Sequence, residues 1–238
     1  MAAVHRSPGH GPGNARPSRS CRRTASSSAS SSGSSGSGGG AGGAGGATLL
    51  IKANSRLGIG RYPDFTYDAT GGRATGSWEK TGATYHVAFD DIEIPALTSR
   101  TTTLFGAVPI PPPLKIEIRP EGLRGTVDAA TGAVDLLFDA QFCFTIGPLY
   151  AAPPLRVSTT LTTAESSGEI RRGRGDALAA GGDGDAELRG LCRLVGVSGV
   201  PKVQIRPETA VMDLLFSGFL ALPTEALADL TAEIVLCE

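Results

Sequence analysis

The stretch Val134–Ile146 reads VDLLFDAQFCFTI and decides the fold. Apolar residues occupy every even position from Val134 to Ile146, and Asp, Gln and Thr residues lie between them. A strict period of two describes a long β-strand with one face in a core. Because this inward face carries no polar residue, we expect the strand to be part of a wall or core and not of a catalytic site.

The residues before this stretch continue the β pattern. Leu114, Ile116 and Ile118 alternate with charged residues, and Leu123–Val127 is another short run. Asp128–Gly132 then connects that run to the long strand. An Asp can bond its own backbone in such a turn and a Gly can take a positive φ, so we predict a β-hairpin.

The same signals recur on both sides of this hairpin. Asp68–Gly72 is a second turn of the same type, and strands are predicted after it over Arg73–Lys80 and again from Tyr85 to Phe89. The apolar phase then changes at Asp90-Asp91, which predicts a bulge. A further strand is predicted from Leu155 to Leu161.

The C-terminal region is predicted to contain one helix. Pro223-Thr224-Glu225 suits a helix start, because Pro and Glu are favoured in the first turn, and the helix would continue through Leu230. The predicted fold class is therefore mainly β: a single antiparallel β-barrel or β-sandwich domain with a short C-terminal helix.

Residues 1–47 differ in composition from the rest of the chain. They hold five of the 22 basic residues and no acidic residue, and they end in a tract of Ser, Gly and Ala. Such a segment has no apolar face to bury, and an Arg- and Ser-rich composition without acids is typical of an organellar transit peptide. We predict a disordered leader over 1–47 and a location in the chloroplast, in the stroma or peripheral to thylakoids or plastoglobules. The alternative is a linker with no targeting role.

Residues 48–238 are predicted to be one β-rich domain with a flexible loop at about 166–189, where the chain turns polar. They carry 17 basic and 23 acidic residues, a net charge of −6. A mildly acidic domain does not suit a phosphate-tracking surface, so nucleic acid is not expected as a partner. No apolar run approaches the roughly 18 residues that cross a bilayer, so we expect no transmembrane segment.

The residues typical of catalytic and metal sites are sparse. After the leader the only histidine is His86, which is out of phase with the core-facing residues around it. The chain contains no Gly-x-Ser-x-Gly elbow and no CxxC pair, and Asp183–Glu187 lacks the remaining positions of a calcium loop. We therefore expect no catalytic residue, no metal and no cofactor. An enzyme remains one hypothesis beside the two functions given below, because catalytic loops need no sequence motif.

Two short stretches resemble a known family. Gly76-Ser77-Trp78 is a Gly-x-Trp on an early strand, and a Thr-rich strand is followed by the turn Ile170–Gly175, which reads IRRGRG. A Gly-x-Trp of this kind resembles the start of lipocalin-like barrels, in which the Trp plugs one barrel end. The order of the motifs is similar to that of the plastid lipid-associated (fibrillin) family. The resemblance implies a barrel that holds or coats lipophilic molecules, with Trp78 and Arg174 as structural or cavity-rim residues.

Two functions are predicted from these observations. The first is a non-enzymatic plastid protein that binds a lipophilic ligand, or associates with thylakoid or plastoglobule lipid, through its β-barrel. The alternative is a plastid scaffold or assembly factor that acts through protein contacts around Arg171–Arg174. The residues predicted to contact the ligand are Trp78, Arg171, Arg172 and Arg174. An apolar cavity would favour the first function, and a filled interior with an exposed apolar patch would favour the second.

Overall fold

The structure is a computed structural model that describes residues 43–53, 55–59, 65–180, 187–200 and 224–238. The described residues form sixteen β-strands, and no helix occurs among them. They include no helical segment with the length and hydropathy that a bilayer crossing requires. The predicted leader up to residue 42, and residues 183–186 of the stretch compared with a calcium loop, lie outside the described residues.

Eight strands close an antiparallel barrel. Around the ring they are β1 (Ala44–Ile51), β4 (Arg73–Thr81), β5 (Thr84–Glu93), β8 (Leu114–Asp128), β9 (Val134–Ile146), β11 (Leu155–Thr162), β15 (Glu187–Val200) and β16 (Thr224–Cys237). Each strand is antiparallel to the next, and β16 pairs with β1 to complete the ring. The mainly β fold predicted from the sequence is confirmed.

The remaining strands extend the barrel or lie beside it. Three of them pair with barrel strands: β2 (Arg56–Ile59) with β16, β10 (Tyr150–Ala151) with β9, and β14 (Asp176–Ala180) with β15. Two small sheets stand apart from the ring. One contains β3 (Thr66–Tyr67), β6 (Thr102–Leu104) and β7 (Val108–Pro109), and the other contains β12 (Glu165–Ser167) and β13 (Arg172–Arg174).

The hairpin between β8 and β9 forms as the sequence predicts. Asp128 Oδ1 accepts hydrogen bonds from the backbone N–H of Ala130 at 2.8 Å and of Thr131 at 2.9 Å. Gly132 has φ 72°, a conformation that a side chain would strain. The long strand then runs from Val134 to Ile146, the range that its alternation predicts.

Two bulges change which residues face the barrel interior. On β5 the register with β4 shifts between Thr75 and Gly76, which leaves Asp90 as an extra residue and confirms the predicted bulge. On β8 the register with β9 shifts between Pro120 and Gly122. The two runs predicted before the Asp128 turn, Leu114–Ile118 and Leu123–Val127, are therefore parts of one bent strand.

The predicted C-terminal helix is wrong. Thr224–Cys237 is β16, which pairs residue by residue with β15 over its whole length. Ala and Leu favour a helix locally, but Ala232, Ile234 and Leu236 are buried at a period of two, and this tertiary burial overrides the propensity. The first strand begins at Ala44, within the range predicted for the leader, and the region predicted as a loop at 166–189 contains β13 and β14.

Candidate functional site

The barrel interior is filled at one end. The filled end is the end at which β9 begins, and the cavity end is the end at which β9 finishes. Val127, Val134, Leu136 and Ile234 point into the filled end and are 0% exposed. Apolar side chains that exclude solvent in this way supply most of a domain's stability, so the filled end is the core of the barrel.

Trp78 closes the filled end. Its side chain is 3% exposed, and its indole Nε1 donates a hydrogen bond to the Cys237 carbonyl at 3.1 Å. The Tyr85 ring meets it edge to face, with 5.0 Å between the ring centroids. A Cβ at Gly45 would lie 2.8 Å from the indole, so β1 can approach Trp78 only with a glycine there.

The cavity end encloses an apolar cavity of about 180 Å³. One wall is β9, whose Phe138, Phe142 and Phe144 line the cavity and are only half-buried. Other walls come from the aliphatic residues of β2, β8, β11 and β16, and from Phe65 and Leu97 beside the barrel. The three aromatic side chains pack against the core and are only half-buried, so part of each one remains uncovered.

Small residues on β16 explain why the cavity lies at this end. Ala226, Ala228 and Ala232 face the cavity with one larger residue, Leu230, among them, whereas Ile234 and Leu236 continue the same face into the filled end. The backbone also opens here, because β5 pairs with β8 only up to Phe89, and beyond the bulge at Asp90 the two strands separate. A wide ring with small side chains leaves space that its own residues do not fill.

The seam between β11 and β15 at the cavity end is joined by side chains. The only residue pair in the ladder between these strands is Thr162 with Val195. Beyond it, Thr159 Oγ1 donates to the Val197 carbonyl at 3.2 Å and Ser198 Oγ donates to the Ser158 carbonyl at 3.1 Å. The seam between β15 and β16, in contrast, is paired over fourteen residues.

The hydroxyl groups that line the cavity are already used as donors. The Thr159 and Ser198 hydroxyls donate to carbonyls across the seam, and the Tyr67 hydroxyl donates to the Pro95 carbonyl. Burial raises the pKa of Tyr67 well above its usual value, and the adjacent Asp68 carboxylate raises it further. Tyr67 is therefore neutral, and each of these oxygens can offer a ligand an acceptor but not a donor.

Two arginines contribute to the cavity rim. Arg73 pairs with Glu93 at 2.8 Å, and both side chains are well exposed. Arg56 is exposed and lies opposite Asp229 in the ladder, so it shares the outer face with that carboxylate. The adjacent Leu57 lies opposite Ala228 and faces the cavity. Both charged heads therefore belong to the outside of the barrel.

The residues predicted to contact a ligand lie in different places. Trp78 is at the filled end, and Arg172 and Arg174 are exposed on β13; none of the three lines the cavity. Arg171 lies closer, because its guanidinium donates to the carbonyl of the cavity residue Ile59 at 3.3 Å. The cavity-lining role of Phe138 and Phe142 was missed, because their alternation is that of any core strand.

A carboxylate holds the β12–β13 turn beside the cavity end. Glu225 accepts hydrogen bonds from the backbone N–H groups of Glu169, Ile170 and Arg171 at 2.6, 2.8 and 2.9 Å. These bonds, led by those from Ile170 and Arg171, hold the pKa of Glu225 below its usual value. Because Glu225 precedes the cavity residue Ala226, the turn and the cavity wall are tied together.

The described residues offer little for metal binding or nucleophilic chemistry. No group of three or more His, Cys, Asp or Glu side chains lies close enough among them to hold a metal ion. His86 is exposed, as its phase predicts. Cys192 is buried, and burial raises the pKa of its thiol to about 12, so it is not a nucleophile near neutral pH.

No protein-family model, curated protein or solved structure matches the chain. The functional inference therefore depends on the chemistry of the cavity. That chemistry consists of a large apolar lining, a few hydroxyl acceptors at the seam and charged groups outside the barrel. Such a lining can bind apolar matter by removing it from water.

Proposed function

We propose that this is a non-enzymatic plastid protein that binds a lipophilic ligand in the cavity of its β-barrel. The observation that carries the proposal is the wall of half-buried aromatic residues on β9, Phe138, Phe142 and Phe144. Covering apolar surface contributes about 25 cal/mol for each Å² removed from water. A ligand that covers these rings is stabilised by that amount without any specific hydrogen bond.

The composition of residues 1–47 supports the plastid location. Five arginines, many serines and no acidic residue are typical of a transit peptide. The proposed site of action is the stroma or the periphery of thylakoids and plastoglobules, where lipophilic ligands are abundant. Import of a fusion of residues 1–47 to a fluorescent protein into isolated plastids tests this, and a fusion that stays outside would contradict it.

Exposed apolar side chains support an association of the cavity end with lipid. Phe105 is 67% exposed in the turn between β6 and β7, and Leu149 is 77% exposed in the turn after β9. The turn with Leu149 follows β9, which finishes at the cavity end, and Gly147 of that turn lies beside Pro113, four residues after β7. Apolar side chains at one end of a barrel can enter the interface of a bilayer or lipid droplet.

A protein scaffold is the second candidate function. The same exposed side chains, Phe105 and Leu149, could bury themselves against a protein partner, with Arg172 and Arg174 exposed on the β12–β13 hairpin. Pull-down from plastid extract separates the two candidates. A partner recovered in stoichiometric amount favours the scaffold, and bound lipid without such a partner favours the ligand-binding protein.

The central experiment is solvent extraction and mass spectrometry of the protein purified from plastids. Ala228→Phe adds a ring inside the cavity, and Ala88→Phe adds the same ring to an exposed position on β5 as the matched control. We expect bound lipid from the wild-type protein and the control, and little from Ala228→Phe. The proposal is wrong if none of the three proteins carries a lipophilic molecule.

A further inference from the structure

We propose that the cavity accepts only a neutral lipid group, a hydrocarbon or a hydrocarbon with a hydroxyl, and rejects an ionised head group. This inference rests on the proposed function, because it states the chemistry of the ligand for the same cavity. It is based on the hydrogen bonds that the polar atoms of the lining residues already make within the protein.

Apart from the two rim arginines, the described lining offers no hydrogen-bond donor to an anion. The hydroxyl hydrogens of Thr159, Ser198 and Tyr67 all point to backbone carbonyls of the protein itself. The lining contains no Lys, His, Asn or Gln among the described residues. A carboxylate or phosphate inside would lose its water and gain no partner, which is the most unfavourable way to bury a charge.

The rim arginines do not replace these missing donors. Arg73 already pairs with Glu93, and Arg56 shares the outer face of β2 and β16 with Asp229. A cation has no partner inside either, because the lining holds no Asp or Glu among the described residues. The interior therefore excludes both signs of charge.

A hydroxyl, in contrast, finds a place at the seam. Each of the Thr159 and Ser198 oxygens donates one hydrogen bond and keeps lone-pair capacity to accept another. An alcohol can donate to either oxygen without leaving a buried polar group unpaired. The seam thus selects a hydroxyl as the one polar group that the cavity accommodates.

The cavity volume decides the size of a suitable probe. About 180 Å³ is close to the roughly 150 Å³ of an apolar cavity that stays dry and binds benzene. Six-carbon compounds therefore match the space, and the series hexane, 1-hexanol, hexanoate and hexylammonium varies only the head group. A longer ligand would place about six carbons of one end inside the cavity and leave the rest of its chain at the cavity mouth.

The experiment is a titration of the full chain with each of the four probes at pH 7.5, followed by the methyl NMR signals of isoleucine. Ile59 and Ile118 line the cavity, and Ile234 at the filled end is the internal control. We expect hexane and 1-hexanol to shift Ile59 and Ile118 but not Ile234. We expect hexanoate and hexylammonium to bind at least about tenfold more weakly, because their charges stay in water.

A change of pH adds a second readout. Hexanoate should gain affinity relative to 1-hexanol as the pH falls through the pKa of its own carboxyl group, because only hexanoate changes its charge there. Val157→Lys places a cation in the half-buried wall of β11, and we expect it to favour hexanoate over 1-hexanol. If that variant does not fold, the order of the four affinities for the wild-type protein still tests whether the cavity rejects charged head groups.

The outcomes separate the two proposals. Hexanoate binding as tightly as 1-hexanol at pH 7.5, with a loss of that affinity in Arg56→Gln, would overturn the neutral-ligand inference and leave the lipophilic cavity standing. Failure of hexane and 1-hexanol alike would overturn the proposed function and this inference together. Binding of the two neutral probes alone supports both.

Discussion

Leu136 and Phe142 lie on the same face of β9, yet their surroundings differ. Leu136 is 0% exposed at the filled end, whereas Phe142 is half-buried and lines the cavity. The strand itself is uniform, so the difference arises from its neighbours. On β16 the inward face changes from Ile234 and Leu236 at the filled end to Ala226 and Ala228 at the cavity end. Residue size on a distant strand decides whether the same alternation builds a core or a binding site.

Truncation at these two positions gives the largest expected effect. Leu136→Ala should lower the free energy of unfolding by roughly 2–5 kcal/mol, because it leaves a cavity in a filled core. Phe142→Ala should cost about 1 kcal/mol, because its ring contacts fewer neighbours and part of it faces solvent or ligand. Urea denaturation of both variants measures the difference.

The ligand should stabilise these two variants to different extents. Saturating 1-hexanol should stabilise Leu136→Ala as much as it stabilises the wild-type protein, and should stabilise Phe142→Ala less, because that variant has lost part of the wall. Equal costs for the two truncations without ligand would show that the cavity end is as well filled as the core.

The two seams of β15 provide the next comparison. Ser198→Ala removes the hydroxyl that bridges to Ser158, and should cost roughly 0.5–1.5 kcal/mol, the usual net value of one hydrogen bond. Ser158→Ala is the matched control, because that side chain is exposed and only its carbonyl joins the seam. Hydrogen exchange should become faster at Val197 in the Ser198 variant and stay unchanged at Ala232 on β16. Uniform exchange in both strands would mean that the bridging hydroxyl adds nothing to the seam.

The parts of this fold that the sequence predicts are those that depend on local chemistry. The Asp128 turn, the extent of β9 and the bulge at Asp90 each follow from a few adjacent residues. The helix predicted after Pro223 failed because Ala and Leu favour a helix locally, and only the pairing with β15 shows that the segment is a strand. Local pattern carries no information about a partner strand many residues away.

The candidate site was less accessible to sequence reasoning than the fold. Alternation shows that Phe138 and Phe142 face inward, but not how far away the opposite wall lies. The two alternating alanines at the start of β16, Ala226 and Ala228, were the available signal, and the helix prediction for the same residues hid it. The arginine-rich turn was singled out because it is unusual in sequence, yet Arg172 and Arg174 lie on β13 and do not line the cavity.

Acid should loosen the β12–β13 turn before it affects the filled end. The pKa of Glu225 is lowered in the folded protein by the N–H groups of Ile170 and Arg171, so its contribution is present above the unfolded value of about 4.3. That contribution is lost as the pH falls from there through the folded pKa. Glu225→Gln should therefore flatten the loss of stability between about pH 5 and pH 3. Glu165→Gln is the control, because Glu165 is an exposed residue of the same hairpin. If Glu225→Gln loses stability at low pH as steeply as the wild-type protein does, the hydrogen bonds of Glu225 do not stabilise the turn.

The smallest expected change in stability concerns the two exposed turns, where substitutions should mainly affect lipid binding. Phe105 has φ 52°, a backbone conformation that Asn tolerates better than an aromatic residue, so Phe105→Asn removes the ring without adding strain. Phe105→Asn and Leu149→Ser should change the free energy of unfolding by less than about 0.5 kcal/mol, as surface substitutions usually do. They should nevertheless reduce sedimentation with vesicles of plastid galactolipids. Leu191→Ser, at an exposed position of β15 near the filled end, should leave sedimentation unchanged. An equal loss in all three variants would show that general surface hydrophobicity, and not the cavity end, holds the protein to lipid.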